Sequence, residues 1–448
     1  MSGSGQLVGP AKDNPRTIFG WCMYDWANSA YATTVMVGLL PAYFAEVVVG
    51  ADGVVIGGTT YAADTLWAFT VGAATLIAFV SAPVLGAIAD FSAARKRFLL
   101  AFAYTGSLFA LLLWFVHSGD VFQTLVFFTI AQVGYVGANV FYDSFLPRIA
   151  SDDKLDRISG KGYSYGYVGG GLQFALALGL IAGHEQFGLT QAQAARVGMV
   201  MAALWWAGFT LFTVRYLRES DEAEPMPERF RRWPRPLAYA AVGLSRTWAT
   251  TKRVRRFRHL VIFLVAFMLY DDGIQTVINL ATVYGKVELK LPTLSLMLTL
   301  LLVQVIASFG ALFFTRISKV VGTKRTVMLT LCLWTGVVVY AYFVTTAAQY
   351  YLMGAVVGVV LGGTQALSRS FYASMVPEEA SAEFYGFYTV FSKFAAIWGP
   401  WLFVIVKQVT GSSRSAILSL IVLFFAGLIL LLFLDENKAR EAKSAGAF

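Results

Sequence analysis

The feature that most restricts this chain is a series of twelve apolar stretches, each long enough to cross a bilayer and separated by short polar loops. A spanning helix needs about 20 predominantly apolar residues. Stretches of that kind lie near 18–48, 62–88, 97–117, 121–146, 161–183 and 195–217. They resume near 259–284, 293–317, 323–345, 348–374, 382–407 and 413–434. Inside lipid every backbone N–H and C=O must find an internal partner, so such segments are expected to be helices. Composition agrees, because 57% of residues are hydrophobic and 14% are charged, against about 25% charge in an average soluble domain. So few charges cannot cover a soluble surface. The expected fold class is an all-α polytopic membrane protein.

The formal charge of +9 does not point to nucleic acid, because the cations fall in alternate loops. Arg95, Lys96 and Arg97, then Arg148, Lys154, Arg157 and Lys161, then Arg316, Lys319, Lys324 and Arg325 share one side with Lys438, Arg440 and Lys443. Loops on the other side, such as Gly119-Asp120, are short and poor in Lys and Arg. The bias of Lys and Arg toward the cytoplasm predicts that both termini are cytoplasmic, in a bacterial inner membrane. Cys22 and Cys332 lie inside separate apolar stretches and suggest neither a disulfide framework nor a thiolate metal site. Residues 1–15 lack an apolar core, so no cleavable leader is expected.

A polar stretch over 218–258 divides the chain into an N-terminal six-helix bundle, 1–217, and a C-terminal bundle with its tail, 259–448. The linker opens acidic (Glu219, Asp221, Glu222, Glu224), carries Pro225, Pro227, Pro234 and Pro236, and ends on Lys252, Arg253, Arg255, Arg256 and Arg258. It reads as a solvated connection whose basic end faces anionic lipid, with a short, weakly amphipathic interfacial helix over 237–248. The two halves share short patterns in the same order. Tyr24-Asp25 recurs as Tyr270-Asp271, and Tyr165-Gly166-Tyr167 recurs as Tyr385-Gly386-Phe387. A duplicated architecture about an axis along the membrane normal follows.

Polar residues within the stretches are the informative ones, since an ionised side chain at a span centre costs about 2.5–3.5 kcal/mol on insertion scales. In the seventh stretch Asp272, Gln275, Thr276 and Asn279 fall on one stripe at 100° per residue, with Asp271 beside it. The first carries Asp25, Asn28, Ser29 and Tyr31, the fourth Gln132, Asn139 and Asp143, and the tenth Gln365 and Arg369. Stretches one, four, seven and ten are equivalent under a three-plus-three repeat, so a shared aqueous cavity is expected. Interhelical hydrogen bonds are the competing explanation. Lys393, mid-stretch in the eleventh, either holds a substrate carboxylate or pairs with Asp271 or Asp272 in one conformational state, or else forms a permanent salt bridge that fixes packing. Asp25, Asp271 and Asp272 are candidates for proton coupling, because neighbouring carboxylates resist joint ionisation.

Gly86 and Asp90, followed by Arg95, Lys96 and Arg97, resemble the loop signature of the major facilitator superfamily, with the basic cluster set slightly further from the acid. That resemblance implies a major facilitator fold of twelve transmembrane helices in two pseudo-symmetric six-helix bundles. It makes Asp90, Arg95 and Lys96, with Glu383 near the same edge, candidate gating residues. The corresponding loop of the second half has Lys319 where the acid would stand.

The stretch from Tyr24 and Asp25 through Trp26, Asn28, Ser29 and Tyr31 to Thr33 resembles the opening signature of the vacuolar effluxer family named after autophagy-related protein 22. Tyr270 to Thr276, Gly363 to Ser370, and Glu383 to Tyr388 followed by Lys393 are similar to further motifs of that family. The resemblance implies major facilitator topology and, for fungal members, export of amino acids from the vacuole.

The expectation is therefore a secondary transporter of a small polar solute, of which an amino acid is one candidate, working by proton-coupled alternating access. Its partners would be that solute, membrane lipid and protons, and the chain would act as a monomer. Arg369 and Lys393 would attract a carboxylate, and the acids an amine or protons. A non-transporting receptor or scaffold on the same fold is the alternative. No cofactor, metal site or enzymatic motif is expected, since His117, His184 and His259 sit near stretch ends without metal spacing.

Overall fold

The structure, a computed structural model, describes residues 12–219, 223–253 and 257–444. Asp221, Glu222, Arg255 and Arg256 of the linker's charged stretches lie outside the described residues. Twelve helices among the described residues are long and apolar enough to cross a membrane. The first bundle holds spans one to six: Pro15–Val49, Ala63–Phe91, Arg95–Phe115, Val121–Ile149, Leu155–Ala182 and Gln191–Tyr216. The second holds spans seven to twelve: Arg258–Lys286, Thr293–Val321, Thr323–Phe343, Ala347–Met375, Ser381–Thr410 and Ser413–Leu432. Polar side chains sharpen several ends. Thr190 with Gln193, and Thr346 with Gln349, form capping boxes that satisfy the first N–H groups of spans six and ten.

The bundles meet through spans two and five of the first and spans eight and eleven of the second. Span two packs on span eleven, and span five packs on spans eight and ten. Under the six-helix repeat, two is the equivalent of eight and five of eleven, so the seam is built from swapped counterparts. Glycine makes the two–eleven crossing close. A Cβ on Gly86 would collide with the carbonyl of Ala382, and one on Gly386 would lie 2.6 Å from Pro83 Cα.

Three local features depart from a plain reading of twelve helices. Span one contains π-helical segments at Tyr31–Leu39 and Phe44–Val49, on either side of a short α turn with Pro41 near its start. Val54–Ile56 and Thr59–Tyr61 pair antiparallel in the loop before span two. Gly57 and Gly58 hold φ of 59° and 82°, the positive values a two-residue hairpin turn requires. The linker helix runs over Arg235–Arg253, longer than expected, and it is strongly rather than weakly amphipathic: Ala238 and Val242 are buried while Leu237, Leu244 and Trp248 are exposed.

Bonds between the bundles concentrate on the face that carries both termini. Arg148 donates to the carbonyl of Glu378 at 2.6 Å, and Lys12 pairs with the Glu378 carboxylate at 2.6 Å. Asp156 of span five accepts from Ser370 at 2.5 Å and from Thr323 at 2.7 Å. The terminal face is closed.

Candidate functional site

The closure centres on Asp90, at the end of span two. Its carboxylate accepts from the N–H groups of Ala382 at 3.2 Å and Glu383 at 2.8 Å, in the first turn of span eleven. A carboxylate at a helix N-terminus satisfies donors that have no intrahelical partner and complements the helix dipole. Arg95 holds the same carboxylate at 2.5 Å and donates to the carbonyl of Glu379 at 3.0 Å. Lys96 is not at this seam. Its ammonium donates to the carbonyl of Val214 at 2.8 Å, inside the first bundle. Glu219 caps span three by accepting from the N–H groups of Arg95 and Lys96. Burial pushes the Glu219 carboxyl above its ordinary range, with those N–H groups and Arg95 offsetting part of the rise. The Oε1 of Glu383 is buried with no hydrogen-bond partner among the described residues.

Deeper in the membrane, two adjoining cavities lie between the bundles. One, of about 180 Å³, is lined by Asn139, Asp143, Asp271, Gln275, Gln365 and Lys393, among others. The second, of about 280 Å³, is lined by Asp25, Thr33, Tyr167, Gln304 and Arg369, and shares Asn139, Asp143 and Gln365 with the first. The repeated Tyr-Asp pair thus puts one carboxylate in each cavity. A third space of about 240 Å³ adjoins the second through Thr33, Tyr167, Gln304 and Gln365. Its other walls are largely aliphatic and include Leu296 and Tyr350, toward the face opposite the termini.

Arg369 of span ten sits at the meeting point of the bundles with its side chain 2% exposed. It pairs with Asp25 of span one at 3.2 Å and Asp143 of span four at 3.1 Å. Its remaining donors go to the hydroxyl of Ser159 at 3.0 Å and its carbonyl at 2.9 Å. The guanidinium lies 4.0 Å from the ring centre of Tyr163 and 4.8 Å from that of Trp21, positions that attract a cation. Tyr142 donates to Asp25 at 2.7 Å. All these partners belong to the first bundle. Arg369 is therefore engaged across the seam rather than open to a carboxylate, as the sequence suggested. With both acids ionised, one guanidinium leaves the cluster with one unmatched negative charge.

Lys393 differs from Arg369. It lines the first cavity from span eleven with Asp271 in electrostatic reach, and it makes no hydrogen bond or ion pair among the described residues. Asp271 accepts from Ser392 at 3.3 Å and, weakly, from Gln275 at 3.5 Å.

Several sequence-selected residues are placed elsewhere. Asp272 is fully buried against span eleven, accepting from the N–H of Gly399 at 2.7 Å and from Thr276 at 3.4 Å. Gly399 precedes Pro400, which removes a backbone donor from that helix, and Asp272 braces the interrupted stretch. Asn279 is exposed and lines none of the three spaces. Asn28 donates to Asn139 at 2.6 Å and Tyr31 to Gln132 at 3.3 Å, tying span one to span four. Of the stripe expected on span seven, Gln275 lines the cavity, and Asp271 rather than Asp272 joins it there. Tyr163, Tyr167, Ser159 and Gln304 escaped selection. Gln304, which donates to Thr33 at 2.7 Å, stands alone in an aliphatic run, so the rule used for the other spans would have found it.

Solved structures share this architecture. The human organic anion transporter MFSD10 (TETRAN) superposes with a TM-score of 0.68 at 14% identity, covering 94% of this chain and all of that one. The proton:xylose symporter XylE gives 0.65 at 15% identity, with 93% of each chain covered. Two six-helix bundles meeting over a buried polar cavity, closed at one face, are the major facilitator fold. More narrowly, the chain belongs to the family described as vacuole effluxer Atg22 like, which matches residues 13–444. Its relatives include the uncharacterized MFS-type transporter YxiO of Bacillus subtilis (strain 168), 31% identical over 94% of this chain and 95% of that one. Autophagy-related protein 22 of Coccidioides immitis (strain RS) is 24% identical over 96% of this chain and 88% of its own length.

Proposed function

We propose that the protein moves a small zwitterionic solute of the amino-acid class by alternating access coupled to protons. The observation that carries this reading is the contrast between two intramembrane cations, the buried Arg369 and the half-buried Lys393. Arg369 is held by two carboxylates of the opposite bundle, whereas Lys393 lines the first cavity without an ion pair among the described residues. A solute carboxylate would pair with Lys393, its ammonium with Asp271, and its remaining polar atoms with Asn139, Gln275 or Gln365. A proton on Asp25 or Asp143 would remove one arm of the Arg369 bridge. Because that bridge spans the seam, its loss would favour separation of the bundles at the terminal face.

The density of Lys and Arg on the terminal face supports its assignment to the cytoplasm of a bacterial inner membrane. On that assignment the closed face is cytoplasmic, and the cavities adjoin an apolar space on the outer side. The family's description as a vacuole effluxer means movement out of the vacuole into the cytoplasm, and at a bacterial inner membrane this supports inward movement of the solute.

The test is flux of labelled amino acids in proteoliposomes with and without an imposed pH gradient. Saturable, gradient-stimulated flux is expected. Lys393→Ala should weaken solute affinity by about 1.5–3 kcal/mol, roughly 10- to 100-fold. Asp143→Asn should abolish gradient stimulation while sparing solute exchange. A ligand that binds but never crosses would replace transport with a receptor role.

A further inference from the structure

The linker helix Arg235–Arg253 has two apolar faces, and only one is used within the protein. Ala238 and Val242 are buried, and Gly243 lies against span two so closely that a Cβ would sit 2.6 Å from Ile88 and 2.9 Å from the carbonyl of Val84. Leu76 and Val80 of span two are 62% and 63% exposed, as lipid-facing residues are. Val84 and Ile88 continue that stripe at four-residue steps. The helix therefore covers the end of a lipid-facing stripe and lies at the bilayer boundary. Away from span two, Leu237, Leu244 and Trp248 form an exposed stripe, 58%, 60% and 63% accessible. Exposed Arg231, Arg232 and Arg235 lie at one end of it and Lys252 at the other.

The same helix bridges the gate. Tyr239 packs edge-on against Phe91, next to Asp90, and Arg246 stacks over Phe91 at 4.9 Å while bonding Glu224. The N–H of Glu224 donates to the carbonyl of Phe91 at 3.0 Å. On the other side of the seam, Thr250 and Arg246 lie within interaction reach of Glu383, in the first turn of span eleven. One helix thus packs on one of the two spans that Asp90 joins and lies within electrostatic reach of the other, and parting them would draw it from one.

We propose that this helix docks its Leu237–Leu244–Trp248 stripe into the surface of an anionic bilayer and, held there, acts as a strap that favours the closed terminal face. Apolar residues framed by cations are the pattern of a helix lying in the interface plane, and the cations select anionic over neutral headgroups. Lipid can bias the gate because the docked pose is compatible with the closed seam and strained by its opening. The inference does not depend on the identity of the solute.

The full chain is placed in nanodiscs of phosphatidylcholine alone or mixed with phosphatidylglycerol, with brominated acyl chains in either case. The signal of Trp248 is the fluorescence difference between the protein and W248F. Quenching by the brominated chains is expected, stronger with phosphatidylglycerol and reduced several-fold by joint Arg231→Gln, Arg232→Gln, Arg235→Gln and Lys252→Gln. None of these four residues is buried, so an unchanged thermal transition is expected for that variant. In parallel, spin labels at Asp153→Cys and Glu379→Cys, with Cys332→Ser, report the distance across the closed face. The long-distance population should grow several-fold when phosphatidylglycerol is withdrawn or the four cations are neutralised. Quenching of Trp248 by aqueous iodide but not by lipid overturns the proposal, as does lipid quenching indifferent to headgroup charge. Shielding from both quenchers in a self-associated protein assigns the stripe to a second copy instead, and an invariant distance distribution removes the strap.

Discussion

Asp271 and Asp272 are neighbours in sequence with opposite environments. An α-helix turns about 100° per residue, so one step carries a side chain from a cavity wall to a helix–helix contact. Asp271 and Gln275 share the first face, and Asp272 and Thr276 the second. Asp272→Ala removes an acceptor from the buried N–H of Gly399, which should cost about 1–3 kcal/mol of stability. A lower thermal midpoint with solute affinity retained is the expected result. Asp271→Asn should do the reverse, changing affinity with little effect on the midpoint. Loss of affinity in the Asp272 variant with an unchanged midpoint would return that residue to the site. The cost of charge in lipid identified Asp25, Asp143, Gln365 and Lys393 as cavity residues from sequence. The same argument grouped Asp272 and Asn279 with Gln275, although of the three Gln275 lines a cavity and the others do not, because periodicity defines stripes and not the direction each one faces.

At the level of elements, the contact between spans two and eleven depends on the absence of two side chains. Gly86→Val places a branched group against the carbonyl of Ala382, and overpacking of this kind costs about 1–3 kcal/mol. That cost falls on the closed state alone, so the closed-to-open ratio should drop by about 5- to 150-fold. Labelling of a cysteine introduced at Ser374, buried behind the closed face, would report it, and unchanged labelling would mean that the crossing adapts. The hairpin of the first loop was readable in advance, since β-branched residues flank Gly57-Gly58. The linker helix was underestimated because the expected bounds, 237–248, left out Arg235, which at 100° per residue lies nearly opposite Leu237, Leu244 and Trp248.

For the whole molecule, Arg369 is the buried cation that joins the two bundles electrostatically within the membrane. Removing one partner of a buried ion cluster typically costs 3–5 kcal/mol, since the remaining charges lose compensation. Arg369→Gln should therefore depress the thermal midpoint strongly. Adding Asp25→Asn and Asp143→Asn should restore much of the stability, while gradient-driven flux stays absent. Equal destabilisation in the single and triple variants would mean that Arg369 acts through packing on Trp21 and Tyr163 rather than through charge. The order of twelve spans, the duplication, the crowding of Lys and Arg onto one face and the membership of the polar inventory were all determined by sequence. They follow from local rules: the length of a span, the cost of charge in lipid, and the spacing of motifs. Tertiary structure alone decided that Arg369 is already neutralised across the seam while Lys393 is not, and that Asp272 braces a helix. Partnership between side chains on different helices depends on rotation and approach, which one-dimensional periodicity does not encode.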